Sequence, residues 1–158
     1  MQYAVMESPV GPLTIGGDET GLKFIFFPTD RVPEPDLYGR SSGCSVIKET
    51  TRQLQAYFER KLTEFDLPCK PEGTAFQMKV WRELQKIPYG SVISYGELAR
   101  RIGMPTASRA VGAANGSNPI PIVIPCHRVI GSNGKLTGYG GGVQIKEALL
   151  RLENARLF

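Results

Sequence analysis

Residues 68–73 read Pro-Cys-Lys-Pro-Glu-Gly, and no regular helix or central strand runs through such a segment. Each proline fixes φ at about −65° and removes a backbone donor, and the glycine that follows loosens the chain further. The break splits a chain of 158 residues into two stretches with different periodicities. At roughly 100–200 residues per domain, that length allows one ordinary domain or two small ones. The change of pattern favours two, an N-terminal α/β domain at residues 1–73 and a second domain at 74–158.

Before the break, residues 2–7 and 22–27 are rich in strand formers, with 12–16 a weaker strand between them. Ser8-Pro9-Val10-Gly11 and the stretch from Gly16-Gly17-Asp18 to Gly21 mark the turns, so the segment reads as a small antiparallel meander. Residues 28–44 form a Pro/Gly/Ser-rich loop. A helix is predicted over about 45–62, with Val46, Ile47, Leu54, Tyr57, Phe58 and Leu62 near one face.

After the break, the spacing turns helical. Thr74-x-x-Gln77 is a capping-box pattern opening a helix to about residue 86, with Phe76, Val80, Leu84 and Ile87 in one stripe. Pro88-Tyr89-Gly90 ends it. Ser94-x-x-Glu97 starts a second helix through Ile102 that stops at Gly103, and Thr106 is placed to cap a third from Ala107 to about Asn115. Two short helices about a glycine-containing turn make a helix-turn-helix pattern. The fold class is α+β: a small sheet plus a helix, then a mainly helical unit.

Composition narrows the function classes. Hydrophobic residues at 41% and charged residues at 22% suit a globular protein rather than a disordered one. The longest apolar runs, such as Phe24 to Phe27, are far too short to span a membrane. The N-terminus lacks the basic region and apolar stretch of a signal peptide, so an intracellular, cytoplasmic protein is expected. Cys44, Cys69 and Cys126 are odd in number and widely spaced, which argues against a disulfide framework and fits a reducing compartment. They and the single histidine, His127, lack the paired spacing of a zinc site.

The net charge of +4 hides an asymmetry. Residues 1–73 carry 8 basic and 11 acidic side chains, a net of −3; residues 74–158 carry 11 and 4, a net of +7. A basic half beside an acidic one points to a polyanionic partner, the alternative being a solvated basic surface. The third helix, Ala-Ser-Arg-Ala-Val-Gly-Ala-Ala-Asn, is built from small residues. Only Ser108, Arg109 and Asn115 have the reach to read bases, so sequence-specific readout is poor. Small residues also permit close helix packing, and the two readings stay open side by side.

Residues 119–130 read Pro-Ile-Pro-Ile-Val-Ile-Pro-Cys-His-Arg-Val-Ile. Cys126 stands beside the only histidine and near Arg128. The thiolate is the reactive form of cysteine, and cations or a partnered histidine favour it. In an extended strand, neighbouring side chains point to opposite faces, so proton exchange between Cys126 and His127 needs a bend or a bridging water. A nucleophilic cysteine and an inert buried one are both compatible with the dipeptide.

The string Pro125-Cys126-His127-Arg128-Val129 resembles the active-site signature of the O6-alkylguanine-DNA alkyltransferases. Arg109-Ala-Val-Gly112, Asn118-Pro119, Tyr95 within Ile93-Ser94-Tyr95-Gly96, and Tyr139-Gly140-Gly141-Gly142 follow in that family's order and spacing. The resemblance covers residues 74–154 closely, and the N-terminal part in general plan. It implies a ribonuclease H-like sheet and helix followed by a winged-helix-like DNA-binding and alkyl-acceptor domain. It further implies direct DNA repair of alkylated guanine, with O4-alkylthymine as a further substrate. The base is flipped out of double-stranded DNA and its alkyl group moves irreversibly to Cys126, so each molecule acts once. His127 would take the thiol proton through a water, and Glu153 would orient the imidazole. Asn118 would hold the active-site turn, and Tyr95 would rotate the nucleotide and hydrogen-bond the base.

By the same resemblance, Arg109 would enter the gap left in the duplex. Thr106, Ala107, Ser108, Ala110 and Asn115 would lie along the DNA, while Val129, Tyr139, Gly140 and Gly141 would line the guanine pocket. No metal or organic cofactor is implied, and the protein would act as a monomer, with cooperative binding on DNA open. One departure stands out. Many relatives carry serine where this chain has Gly140, so only a backbone N–H is available there, and the glycines at 140–142 leave room for alkyl groups larger than methyl. Two rival readings remain: a relative that recognises the lesion without repairing it, and a thiol hydrolase built on Cys126 and His127.

Overall fold

The computed structural model describes residues 1–30, 39–40, 43–136 and 142–157. Contacts divide the chain into two compact units, Met1–Glu72 and Gly73–Phe158.

The first unit carries a four-stranded sheet. Strands β1 (Gln2–Met6), β2 (Leu13–Asp18) and β3 (Gly21–Phe26) form the expected antiparallel meander, with Met6 opposite Leu13 and Ile15 opposite Ile25. The β2–β3 register shifts between Gly16 and Gly17. A side chain at 16 would collide with the Phe24 ring, 2.0 Å from an added Cβ, so the glycine makes room for that ring. The sheet is not purely antiparallel. Gly39–Arg40, in the segment read as loop, forms β4 and pairs parallel with Gln2 and Tyr3, giving the order β3-β2-β1-β4. On the other edge, the Pro68-Cys69-Lys70 segment makes a strand-like bridge to Leu22, with Leu22 N donating to Pro68 O (2.7 Å) and Lys70 N to Leu22 O (2.8 Å).

Helix α1 (Ser45–Phe58) covers this sheet and buries Val46, Ile47, Leu54 and Tyr57. It ends four residues short of the expected 62. Glu59 caps it and Arg60 turns into left-handed backbone (φ 60°), so Leu62 falls outside the helix. The turn is held by Gln53, whose amide exchanges hydrogen bonds with the backbone of Asp66 (2.9 and 3.0 Å).

The second unit is mainly helical: α2 (Ala75–Leu84), α3 (Tyr95–Arg101), α4 (Ser108–Gly116) and α5 (Val143–Leu152). The capping box on α2 is complete, Thr74 Oγ1 accepting from Gln77 N (3.1 Å) and Gln77 Oε1 from Thr74 N (2.9 Å); losing such a cap costs about 1 kcal/mol. On α3 only half of the expected box forms. Ser94 Oγ accepts from Glu97 N (3.0 Å), but the Glu97 carboxylate turns to Arg100 and Arg101, where two guanidinium groups outcompete one neutral N–H.

Gly103 (φ +78°) ends α3 as expected. Thr106 does not cap α4: Ala107 N bonds Met104 O (2.9 Å), and this turn delays the helix to Ser108, leaving Ala107 as an N-cap without a side-chain oxygen. Trp81 is a core residue, 2% exposed, its indole N–H donating to Ala114 O (2.8 Å) on α4. The small face of α4 is used on both sides: Val111 and Ala114 are buried against α2 and α3, while Ala110 and Ala113 stay exposed. No helix among the described residues is long and apolar enough to cross a membrane.

Candidate active site

The proline-punctuated segment is where the second unit bends its backbone hardest. Ile120, Ile122 and Ile124 are all fully buried, anchoring a chain that reverses twice between them. Val123 N bonds Pro121 O (2.9 Å) across Ile122, a β-branched residue at φ 72°. That backbone region is rare for such a residue and costs on the order of 1–3 kcal/mol unless its surroundings enforce it. Cys126 N then bonds Ile124 O (2.8 Å) across Pro125, an inverse γ-turn. Asn118 braces the segment: its Oδ1 accepts from Ile120 N (3.0 Å) and its Nδ2 donates to Ile124 O (2.7 Å).

These reversals deliver Cys126, His127 and Arg128 into a single 3₁₀ turn, closed by Arg128 N to Pro125 O (3.0 Å). The segment is therefore not an extended strand at its reactive residues, and the bend that Cys126 and His127 require is present. Immediately after it, Val129 and Ile130 pair parallel with Ile93 and Ser94 as a two-stranded ladder, β5 (Ile93–Ser94) with β6 (Val129–Ile130). Tyr95, the first residue of α3, directly follows that ladder.

All three residues of the turn are buried, Cys126 at 4% exposed, His127 at 0% and Arg128 at 5%. Helix α5 packs against the turn. Its buried face is Lys146, Leu149, Leu150 and, just past its end, Glu153. That is the i, i+3, i+4, i+7 spacing of one helix face. Glu153 is the hub. Its Oε2 accepts from His127 Nε2 at 2.6 Å and from Arg128 Nη2 at 3.0 Å; its Oε1 accepts from Arg128 Nε at 2.8 Å and from the Gly90 N–H at 3.2 Å. Arg128 Nη1 donates to Ile87 O (2.7 Å), and its guanidinium lies 5.8 Å over the Tyr89 ring.

With Nε2 committed to the carboxylate, Nδ1 is the imidazole atom left to accept a proton, and it has no hydrogen-bond partner among the described residues. Burial holds His127 below the ordinary histidine range, opposed by Glu153 and reinforced by Arg128 and Lys146. Burial alone would raise Glu153, but the hydrogen bonds and charges of His127 and Arg128 keep its carboxyl far below the usual range. Lys146 is fully buried with its ammonium 5.8 Å over the Tyr95 ring. Burial lowers it to about 8, and attraction to Cys126 pulls the other way.

The structure thus brings together Cys126, His127, Glu153 and Asn118, with Tyr95 reached through Lys146. Arg109 is exposed on the first turn of α4, with Ser108 half-buried beside it and Thr106 and Ala110 exposed. Asn115, expected along the DNA, is instead 1% exposed, and its Nδ2 donates to Cys126 O (3.3 Å). It shares the inward face of α4 with Val111 and Ala114, the opposite side from Arg109. Val129 is buried in β6; Tyr139, Gly140 and Gly141 lie outside the described residues. Arg128, read from the sequence as a cation near Cys126, instead pairs its guanidinium with Glu153. Lys146 was not anticipated, since it announces itself only as a lysine seven residues before Glu153, on the face that turns inward.

Fold and site together define a protein with a helix-turn-helix and a buried cysteine, histidine and carboxylate of the kind found in thiol enzymes. Comparison with known proteins narrows this. Residues 1–71 match the 6-O-methylguanine DNA methyltransferase ribonuclease-like domain, and residues 75–155 the 6-O-methylguanine DNA methyltransferase DNA binding domain. A methylated-DNA–protein-cysteine methyltransferase of Methanosarcina acetivorans is 52% identical over 157 residues, covering 98% of this chain and 99% of that one. A Mycobacterium tuberculosis protein of the same name is 48% identical over 159 residues, covering 99% and 94%. The crystal structure of Mycobacterium tuberculosis OGT in complex with DNA superposes with a TM-score of 0.91 at 47% identity, covering 98% of this chain and 93% of that one. The chain belongs to the 6-O-methylguanine DNA methyltransferase family, DNA repair enzymes of the methylated-DNA–protein-cysteine methyltransferase class.

Proposed function

We propose that the protein binds double-stranded DNA through residues 74–158, flips an O6-alkylated guanine out of the stack, and transfers the alkyl group to Cys126 Sγ. The observation that carries this reading is the 2.6 Å contact of His127 Nε2 with Glu153, which leaves Nδ1 as the accepting atom in the same turn as Cys126. The Cys126 thiol gives its proton to that nitrogen, through one water where the two do not touch. The thiolate then attacks the alkyl carbon. The S–C bond forms as the C–O6 bond breaks, and the electron pair returns to the guanine, which takes up a proton. Lys146, on the face of α5 turned to this turn, supplies positive charge that favours the thiolate.

Arg109, exposed at the start of α4, fills the stack while the base is out, and Tyr95 engages the flipped nucleotide. Extruding a base costs a few kcal/mol, which these contacts offset. A thioether is a poor leaving group, so each molecule acts once. The acidic first unit leaves DNA contact to the second. A reducing compartment that contains DNA, such as a cytoplasm without a nuclear envelope, keeps such a thiol usable.

Incubation with an oligonucleotide carrying O6-methylguanine, followed by peptide mass spectrometry, tests the reading. The expected result is one methyl group per protein on the Cys126 peptide, with no further turnover. Binding without mass gain would make the protein a lesion-recognition relative, and repeated turnover of a simple ester would make it a thiol hydrolase.

A further inference from the structure

The role of Arg128 follows from counting buried charges. His127, Arg128 and Glu153 share one dry cluster, each at most 5% exposed. An uncompensated charge in such a place costs several kcal/mol. With Arg128 present, its guanidinium balances Glu153, and the cluster is neutral when the imidazole is neutral. Without it, no guanidinium would touch the carboxylate, a proton on His127 would be the balancing charge in direct contact with it, and an imidazolium accepts nothing from a thiol. The geometry suits the first arrangement. Arg128 engages both oxygens of Glu153 through Nε (2.8 Å) and Nη2 (3.0 Å), and Nη2 shares Oε2 with His127. Its remaining contacts, to Ile87 O and over the Tyr89 ring, pin the guanidinium in that pose.

We propose that Arg128 is a positioning residue that neutralises Glu153, so that the carboxylate orients His127 without charging it and Nδ1 stays free to accept the Cys126 proton. The proposal rests on the reading of His127 as the proton acceptor. The other charged groups around the imidazole fit it. Lys146, from α5, also opposes a positive imidazole. Helix α2, which packs on the turn as well, buries Val80, Trp81 and Leu84 and keeps Lys79 and Arg82 exposed. The low basicity of His127 therefore comes from burial together with Arg128 and Lys146, against the pull of Glu153.

His127 is the only histidine in the chain, so its imidazole signals in an NMR titration need no assignment. In the unmodified protein they stay those of a neutral ring to well below the free-histidine range. In Arg128→Met the titration moves up by about one unit or more, in line with the loss of a charge within direct contact, and the acid limb of the single-turnover transfer rate moves up with it. Adding Glu153→Gln to Arg128→Met brings the imidazole titration back down. Arg128→Lys, which keeps the charge but loses the planar fork, falls between, and stands in if Arg128→Met does not fold. An unmoved histidine titration in Arg128→Met or Arg128→Lys, with transfer slowed equally at every pH, would overturn the proposal in favour of a purely structural arginine. The NMR arm reads the imidazole whether or not transfer occurs. Absence of transfer in the unmodified protein would therefore sink the proton-acceptor reading while the titration still judged Arg128.

Discussion

Cys69 is half-buried and Cys126 buried, and their surroundings differ in kind. Cys69 lies on the edge of the sheet in the first unit, bridged to Leu22, and burial alone pushes its thiol up to about 11. Cys126 is more deeply buried, at 4% exposed, but it sits in a turn with His127 and Arg128 and under a helix that presents Lys146 and Glu153. Desolvation acts on both thiols and disfavours both thiolates. On the proposed function, what separates the alkyl acceptor from an inert thiol is the charge set around it, not access to water. A buried Cys126 then requires the base to leave its stack to meet it.

Replacing the two sulfurs breaks the comparison most sharply. Cys126→Ser should abolish alkyl transfer entirely while DNA affinity, read by fluorescence anisotropy, stays within about twofold, since no phosphate contact is lost. Cys69→Ser should transfer at the unmodified rate. Loss of transfer in a folded Cys69→Ser would show that burial and inertness had been wrongly linked.

Lys146 tests whether the charge set, rather than the cysteine's place in the turn, makes the difference. Lys146→Met should slow transfer by about tenfold to a hundredfold near pH 7, equivalent to roughly 1.4–2.7 kcal/mol of barrier. The same change should raise thermal stability. The folded-state value of Lys146 lies near 8 against an ordinary 10.5, so below about pH 8 the folded protein bears the full cost of a buried ammonium. That cost fades as pH rises from the folded to the ordinary value, because the unfolded chain then binds the extra proton. The melting-temperature gain of Lys146→Met should therefore be largest near neutrality and shrink by about pH 10. A variant that is slower and also less stable at every pH would mean that Lys146 is needed for packing, not charge.

The same contrast shows what a sequence discloses. The two periodicities, the Thr74 capping box, the Gly103 stop and the helix-turn-helix were legible because they rest on local rules: a side-chain oxygen three residues from an N–H, a glycine at positive φ. The grouping of Cys126, His127 and Glu153 was legible through a contiguous motif and its distant partner. Lys146 was not, since an inward-facing lysine on a ten-residue helix looks like any surface lysine until the helix docks. Asn115 was misread for the matching reason: rotation about α4, not residue type, decides that it faces Cys126 rather than DNA. The end of α1 at Phe58 and the parallel strand at Gly39–Arg40 depend on long-range partners, Asp66 for one and β1 for the other, which periodicity does not see.

Helix α4 repeats the contrast within nine residues, and its two faces give the smallest expected effects. Arg109 points out and Asn115 points in. Arg109→Ala should slow transfer from duplex DNA by roughly tenfold, about 1.4 kcal/mol of the cost of holding a base out of the stack, while reaction with the free alkylated base stays unchanged. Asn115→Ala should slow both substrates by the same few-fold factor. Its Nδ2 holds the Cys126 carbonyl at a long 3.3 Å, and its Oδ1 is buried without a partner among the described residues. Truncation removes a weak bond and an unsatisfied acceptor together, so the net loss is on the order of 1 kcal/mol or less. The ratio of duplex to free-base rates is the deciding measurement. A ratio that falls for Arg109→Ala and holds for Asn115→Ala assigns one face of α4 to the DNA and the other to the cysteine. A ratio that falls equally for both would mean that the helix acts as one rigid unit and that neither face has a separate task.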